Sequence, residues 1–584
     1  MTSSLRQSRR VWLSLAAPAL PCWLVLATGV GAGWVLSAAL MLTLLSLAAG
    51  TTMLLRREHE SLTRNRWLWF SMIALLLPAL ACCLLPPAAR DELTHHLALP
   101  GLWLERGSVR PVSGVLVSYF PAWSQVLYAG ALNLNSEALA RLIHFFFGLL
   151  ILVLPMALRA SPGNDSLRVA PWLALLWLVT PAFHSLLGMA YADLPMLAAL
   201  LGAWLCWARW SDECEGHWLV WASLLVGWAL AIKYSALPAA LVFVGATIAE
   251  WWRRGKELRP GALAPLGLIL LLPAPHFLIN LMETGNPIYP LAGSLFGTGA
   301  ASGVGASHWQ VRRDMFGESL LAQLLVPIRV FFSGLEGSQE HFDGVLSPLW
   351  LVLPPMVLWL RRRRLASTEN SLIVQFLAVS ALTVIFASAR ARYYLPALPP
   401  LAVLLLRTAP QVDWNRKTVQ VVGLVCALGA LFGAAHIATQ FINTDASAYL
   451  SGRLTRREYL EKQVPEYGAI ERGRNAWGAD AQVYPVLTGN RFYYIPARVL
   501  LDNGFLPERL LRAAREADTP AGIAASLRAQ GITHLLYPPQ SLRRVAESQL
   551  ESAAYVRMAG FFKNECDRIA EVPPFAVCAL RGSE

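Results

Sequence analysis

Charge is scarce in this sequence. Asp, Glu, Lys and Arg make up 15% of its 584 residues, against about 25% in soluble domains. The deficit excludes an ordinary soluble surface, because 55% of the chain is hydrophobic and its mean hydropathy is +0.46. Metal-spaced cysteine is lacking too. Of eight cysteines, Cys22, Cys82, Cys83, Cys206 and Cys426 fall within apolar stretches, where a thiol packs as a small hydrophobe. No glycine-rich phosphate loop stands between a strand and a helix, so a nucleotide-bound substrate has no evident cradle. No internal repeat is visible beyond shared hydropathy, and many transporters are built from such repeats.

What the chain has is apolar runs long enough to cross hydrocarbon, which takes roughly 17–25 residues in a helix. About thirteen spans are expected, near 11–30, 33–55, 67–87, 138–158, 170–187, 194–208, 218–232, 236–252, 262–281, 346–360, 371–388, 395–408 and 418–438. Arg6, Arg9 and Arg10 precede the first run. A second run follows at once, which reads as a membrane anchor with a cytoplasmic basic end rather than a cleaved signal.

The net charge of +12 sits mostly in short loops, the positive-inside pattern rather than a nucleic-acid face. Arg56/Arg57/Arg64/Arg66, Arg253/Arg254/Lys256/Arg259, Arg361–Arg364 and Arg416/Lys417 fall on one side if thirteen spans alternate. That side is cytoplasmic. The long loops 88–137 and 282–345, and the tail from about 441, then lie outside.

The outside loops hold the chemistry. Arg90-Asp91-Glu92-Leu93-Thr94-His95-His96 follows an apolar span directly. Ionisable residues at such a boundary are costly, so function is the default reading. Asp91 and Glu92 suit acid/base work; the structural alternative is a carboxylate pair at a helix start. His95 and His96 fall one helical turn after Asp91 and Glu92. They suit either a divalent metal or bonding to a neighbour or a lipid phosphate.

Two amphipathic helices on the membrane surface would suit the rest of this loop. Asp193, before Leu194-Pro195, reads as a cap or as a second acidic group of the site. Lys233 either snorkels or contacts phosphate. Arg390 and Arg392 run against the positive-inside bias, and a bidentate grip on phosphate supplies a reason. His276 and Glu283 are further candidates for the same cavity, while Trp251-Trp252 reads as an interface anchor. The stretch 292–307, rich in Gly, Ala and Ser, lacks the apolar content to pack.

From 441 to 584 the long apolar runs vanish. Short β-rich pieces at Gln482–Leu487, Arg491–Ile495, Thr533–Tyr537 and Phe575–Leu580 alternate with helical ones at Pro507–Ala517 and Gly522–Gln530. That alternation argues a small α/β domain. Cys566 and Cys578 can pair if this region is extracytoplasmic.

Arg90–Leu97, followed by Leu99-Pro100-Gly101-Leu102-Trp103-Leu104-Glu105-Arg106-Gly107, resembles the first outside loop of GT-C-fold glycosyltransferases. The likeness is to bacterial relatives of the dolichyl-phosphate-mannose protein mannosyltransferases and the aminoarabinose transferase. Tyr191–Pro195, Lys233–Ser235, Gly285–Pro290 and Arg392–Pro399 are similar to later landmarks in the same order, so the resemblance covers roughly 67–410. It implies a lipid-phosphate sugar donor, inversion at the anomeric carbon, and a catalytic aspartate that maps to Asp91. His95-His96 is not a hallmark of the family, and two spans before the acidic loop form an N-terminal extension.

The expected fold is an α-helical polytopic membrane protein of GT-C type with a small C-terminal α/β extracytoplasmic domain, divided as 1–440 and 441–584. The expected activity is sugar transfer from a polyprenyl-phosphate donor to a lipid, glycan or protein acceptor at the periplasmic face of a bacterial inner membrane. Asp91, Glu92 and Asp193 would be catalytic; Lys233, Arg390 and Arg392 would hold phosphate. A divalent metal (Mg or Mn) at His95 and His96 is an option. The alternatives are a transporter or flippase of lipid-linked glycans, and a glycan polymerase or ligase.

Overall fold

A computed structural model describes residues 17–55, 66–158, 166–255, 260–298, 308–361, 363–478, 480–502 and 506–582, together with Leu13. The basic residues at 6–10, 56–64, 256–259 and 362, and residues 299–307 of the Gly/Ala/Ser-rich stretch, lie outside this set.

Within the described residues each expected span overlaps a helix or a bent helix pair, but not each helix can cross a membrane by itself. Glu137–Met156, Tyr234–Arg254, Ser367–Phe386 and Arg416–Asn443 are long and apolar enough. Two more become spans only if a bent pair counts as one: Arg168–Leu178 with Pro181–Leu187, bent by 80°, and Gly261–Leu270 with Ala274–Thr284, bent by 57°. Thr180 is extended before Pro181, because proline drives the preceding residue out of the α region. Ala19–Thr28, Gly33–Ala49, Trp67–Cys83, Gly216–Ile232 and Leu349–Leu360 are shorter apolar helices. The last has 12 residues, or about 18 Å at helical rise against about 30 Å of hydrocarbon. The count of thirteen spans therefore does not follow from helix length.

The bundle is organised around Asp193–Glu213, buried on every side from Asp193 to Ser211. Such a helix belongs inside; it packs against Glu137–Leu158 and Gly216–Ile232. The residues at its C-terminal end are tied by polar contacts. Arg407 donates to Asp212 at 2.6 Å, and Ser211 donates to Glu250 at 3.1 Å. Arg416–Asn443 has largely exposed flanks, as a helix at the lipid boundary would.

The first long loop departs from expectation. Trp123–Asn133 does not lie on a surface: Trp123 through Ala131 are all buried. The N-terminal extension covers them. Gly130 admits the Leu36 carbonyl so closely that a Cβ there would sit 2.6 Å from it, and the Trp123 indole donates to Ala19 O at 3.1 Å. The extension's turn also pairs with the loop, Gly31 N donating to Gly107 O at 3.0 Å.

The C-terminal part forms a five-stranded sheet ordered β2-β1-β3-β5-β4. Its strands are β1 Gln482–Pro485, β2 Arg498–Val499, β3 His534–Tyr537, β4 Cys566–Val572 and β5 Phe575–Leu580. The first three run parallel, and β4 and β5 form an antiparallel hairpin. Helices Glu508–Glu516 and Pro520–Ala529 stand where helices were expected, and Cys566 is bonded to Cys578 across the hairpin. Arg491–Ile495 is a correction: it is no strand. Its amides instead pair outside the sheet, as described below.

Candidate active site

Asp91 stands at the head of a single π-helical turn, Glu92–His96, closed by Leu97 N donating to Glu92 O at 2.9 Å. The wider turn corrects the α-helical spacing read from sequence. Isolated π turns occur often at functional sites.

Glu92 and Asp91 have different fates. Glu92 is fully buried, and Arg141 donates to both its oxygens at 2.8 and 2.7 Å. Ala190 N and Ala89 N also donate to it, at 2.7 and 3.2 Å. Nothing of this carboxylate is left for a substrate, so the catalytic role expected of Glu92 gives way to an anchoring one.

Asp91 accepts from Arg392 Nη2 at 2.5 Å, and its backbone N–H donates to the Tyr191 hydroxyl at 3.3 Å. The Arg392 guanidinium lies over the Tyr191 ring at 5.1 Å and the Tyr393 ring at 5.2 Å, a cation–π arrangement. Its Nε–H is buried with no hydrogen-bond partner among the described residues. Burial alone would raise the Asp91 carboxyl. Arg392, Lys233 and Arg390 outweigh it and hold the group well below the usual carboxylate range.

Asp193 and Lys233 form the second pair. Lys233 Nζ donates to both Asp193 oxygens at 2.9 and 2.8 Å, and it lies 5.4 Å from the Tyr393 ring centre. Tyr393 thus lies within cation–π range of Lys233 and Arg392 alike. Lys233 ends the helix Gly216–Ile232 in an extended conformation. Asp193 opens the central helix, where a carboxylate is favoured.

Arg390 pairs at 3.6 Å with Asp343 of the second long loop. A cavity of about 370 Å³ is lined by Arg90, Asp91, Tyr191, Arg390 and Arg392, by Ser185, Leu186 and Met189, and by Glu336 and Asp343. Ligand pockets commonly span about 300–1,000 Å³. Neither Lys233 nor Asp193 is part of its lining.

His95 and His96 stack with ring centres 4.3 Å apart. Both address the side-chain nitrogen of Gln125, at 3.2 and 2.9 Å. Burial pushes His95 down to about 4, so it is neutral at physiological pH. Among the described residues there is no group of three His, Cys, Asp or Glu side chains placed to hold a metal. With both carboxylates ion-paired and both imidazoles committed to Gln125, this donor set does not fit a divalent ion.

His276 bonds with Tyr234 at 2.8 Å and does not line the cavity, nor does Glu283. Sequence reasoning passed over Tyr191, Tyr393, Arg141, Asp343 and Glu336. Arg141 carried a signal, a lone arginine near the N-terminal end of an apolar span; the others carried none.

No protein-family model matches the chain, and no curated protein sequence matches it. Among solved structures it is similar to ArnT from Cupriavidus metallidurans in the apo state, with TM-score 0.53 and 15% identity over 88% of this chain and 97% of that one. It is likewise similar to the same protein bound to undecaprenyl phosphate, with TM-score 0.50 and 15% identity over 89% and 99%. At this identity the likeness establishes the fold, which is the GT-C architecture.

Proposed function

We propose that the chain is an integral-membrane glycosyltransferase that moves a sugar from a polyprenyl-phosphate donor to an acceptor at the periplasmic face of a bacterial inner membrane. In this reading residues 1–440 form the membrane-embedded catalytic part, with a cytoplasmic N-terminus, and 441–584 a periplasmic domain. The observation that carries the reading is the Asp91–Arg392 pair on the wall of a cavity, with Lys233 and Asp193 paired close by. The shared fold supports it, since that of ArnT was solved with undecaprenyl phosphate bound.

The donor's prenyl tail stays in lipid while its phosphate meets Arg392 and Arg390 on the cavity wall, and Lys233, held by Asp193 behind that wall, adds its positive charge from there. The unpaired Nε–H of Arg392 matches an incoming phosphate oxygen, and a guanidinium engages phosphate through two donors at once. A carboxylate as depressed as Asp91 is a weak base, and general bases work best with a pKa near the working pH. Phosphate binding therefore has a second effect: by competing for Arg392 it raises the basicity of Asp91.

Asp91 then takes the acceptor's proton as the acceptor oxygen attacks the anomeric carbon from the face opposite the phosphate. The new C–O bond forms, the bond to the phosphate oxygen breaks, and its electron pair leaves with polyprenyl phosphate. The sugar is inverted. Asp193 keeps Lys233 in place and Glu92 anchors the turn. The positive charge on phosphate comes from the side chains, and no step passes through a metal.

The test compares wild type with Asp91→Asn at equal expression, in membranes given radiolabelled polyprenyl-phosphate hexoses and pentoses with extracted lipids and proteins. Wild-type transfer that falls at least about a hundredfold in the variant, the lower range for losing a general base, supports the reading. Undiminished transfer removes Asp91 as the base.

A further inference from the structure

The segment Leu487–Tyr494, which joins β1 to β2, leaves the sheet and rests on the turn that carries Asp91. Phe492 N and Tyr493 N both donate to Leu93 O, at 3.0 and 3.1 Å. The Tyr494 hydroxyl donates to Pro87 O at 2.7 Å, so the two ends of the Pro87–Leu93 stretch are held from the same side. The Tyr493 hydroxyl donates to Glu137 at 2.9 Å, and Arg456 joins it there at 2.8 Å.

Glu137 opens the helix that carries Arg141, and Arg141 grips Glu92. The contacts therefore close a ring: C-terminal segment to Leu93, Glu92 to Arg141, and along that helix to Glu137 and Tyr493. Asp91 adjoins it, on the stretch between the Pro87 and Leu93 contacts.

The segment opens on one strained residue, Leu487, with φ of 54°, while Gly489 and Asn490, at 65° and 60°, are residue types that adopt this region readily. Leucine visits that region rarely, and strain of this kind persists where the surroundings over-determine it, often at functional sites. A Cβ on Gly489 would lie 3.3 Å from the Arg90 guanidinium, and Arg90 lines the cavity.

We infer that Leu487–Tyr494 is a positioning arm, through which the C-terminal sheet domain sets the place of the Asp91 turn relative to Arg392 and so the rate of transfer. This rests on the proposed role of Asp91. Tyr493 and Tyr494 touch no reacting atom; they act through the backbone of residues 87–93.

The test uses full-length protein in detergent, as wild type, the Tyr493→Phe/Tyr494→Phe pair, and Asp91→Asn. The double variant keeps both rings and removes two hydroxyl donors. Amide exchange at residues 88–97 rises about fivefold or more, the worth of a typical hydrogen bond, while exchange in β1 and β3 stays unchanged. With radiolabelled polyprenyl-phosphate hexoses and pentoses as donor probes, kcat falls about fivefold or more and the donor KM is unchanged.

Unaltered exchange at 88–97 overturns the inference, and so does faster exchange with an intact kcat. A loss of exchange protection throughout the sheet also overturns it, because the tyrosines would then be holding up the domain rather than the turn. If the double variant fails these tests while Asp91→Asn abolishes transfer, the arm is wrong and the base stands. If Asp91→Asn transfers as wild type does, the base is wrong, and the arm, having no catalytic group to position, falls with it.

Discussion

At the scale of single residues, two adjacent carboxylates in one sequence motif end in opposite conditions. Glu92 is sealed with Arg141, and breaking a buried pair from one side leaves a charge without compensation. That costs about 3–5 kcal/mol. Glu92→Gln is expected to lower stability by that order, with a clear drop in melting temperature of detergent-purified protein, because Arg141 stays charged and buried. Asp91 faces the cavity and predicts a pH effect instead. Its carboxyl is depressed by Arg392, Lys233 and Arg390 against the pull of burial. The ionised form is therefore present above that lowered value and is lost only as pH falls through it. Wild-type kcat/KM should show no acidic limb from this group down to about pH 5, since even an unperturbed aspartate titrates near 3.9. Arg392→Gln removes the largest opposing charge, so burial takes over and the limb moves upward. A limb that stayed put would mean that Arg392 does not set the ionisation of Asp91.

The same two residues show what could be read in the sequence. Charged residues after an apolar run, with arginines on the side where arginine is disfavoured, marked Asp91, Asp193, Lys233, Arg390 and Arg392 as belonging together. That reasoning rests on cost and sidedness, which a sequence displays. It could not tell Glu92 from Asp91, because the difference lies in Arg141, 49 positions away. Nor could it find Tyr191 and Tyr393, since aromatic residues at a membrane boundary are ordinary there and only the overlying guanidinium singles these out.

At the scale of elements, apolar content told where helices form but not how long they run or what covers them. Pro181 and Pro273 break two expected spans into bent pairs, and the N-terminal extension buries a helix that by pattern alone belonged on a surface. The second long loop adds a case that its composition did not suggest. Leu320, Leu321, Leu324, Ile328 and Phe332 are 52–68% exposed on the short helices Leu320–Leu324 and Val326–Arg329 and just beyond them. Arg329 pairs with Glu318, and Glu318 with the buried Arg312. The second short helix packs against Ser367–Phe386, whose Ile385 and Phe386 are also exposed. An apolar face beside that of a helix long and apolar enough to span belongs in the membrane interface, as interfacial helices do. Phe332→Trp in vesicles of brominated lipid should be quenched as strongly as Val374→Trp on the spanning helix. Quenching no greater than for a tryptophan on the exposed helix Pro539–Gln549 would place the segment in water.

At the scale of the molecule, the question is whether the site and the sheet domain share one side of the membrane. The connectivity requires it of each other: the arm at 487–494 touches the Asp91 turn, so both are on the same face whatever the number of spans. Which face that is rests on two independent signs. Basic residues gather at the opposite ends of the helices, at Arg253, Arg254, Arg361 and Arg416, the pattern of a cytoplasmic surface. Cys566 and Cys578 are bonded, and disulfides persist in oxidising compartments. The signs can be tested together with a membrane-impermeant maleimide on intact cells whose outer envelope has been opened. Ser548→Cys, on the exposed face of the sheet domain, should label at once. Cys214, beside Arg254 at the other end of the bundle, should label only after the membrane is permeabilised. Reduction of the purified protein should free two further thiols, those of Cys566 and Cys578. If Cys214 labels first and Ser548→Cys is protected, the orientation is reversed. The site would then face the cytoplasm, where cell reductants keep thiols unpaired, and the bond across β4 and β5 would not form in the cell.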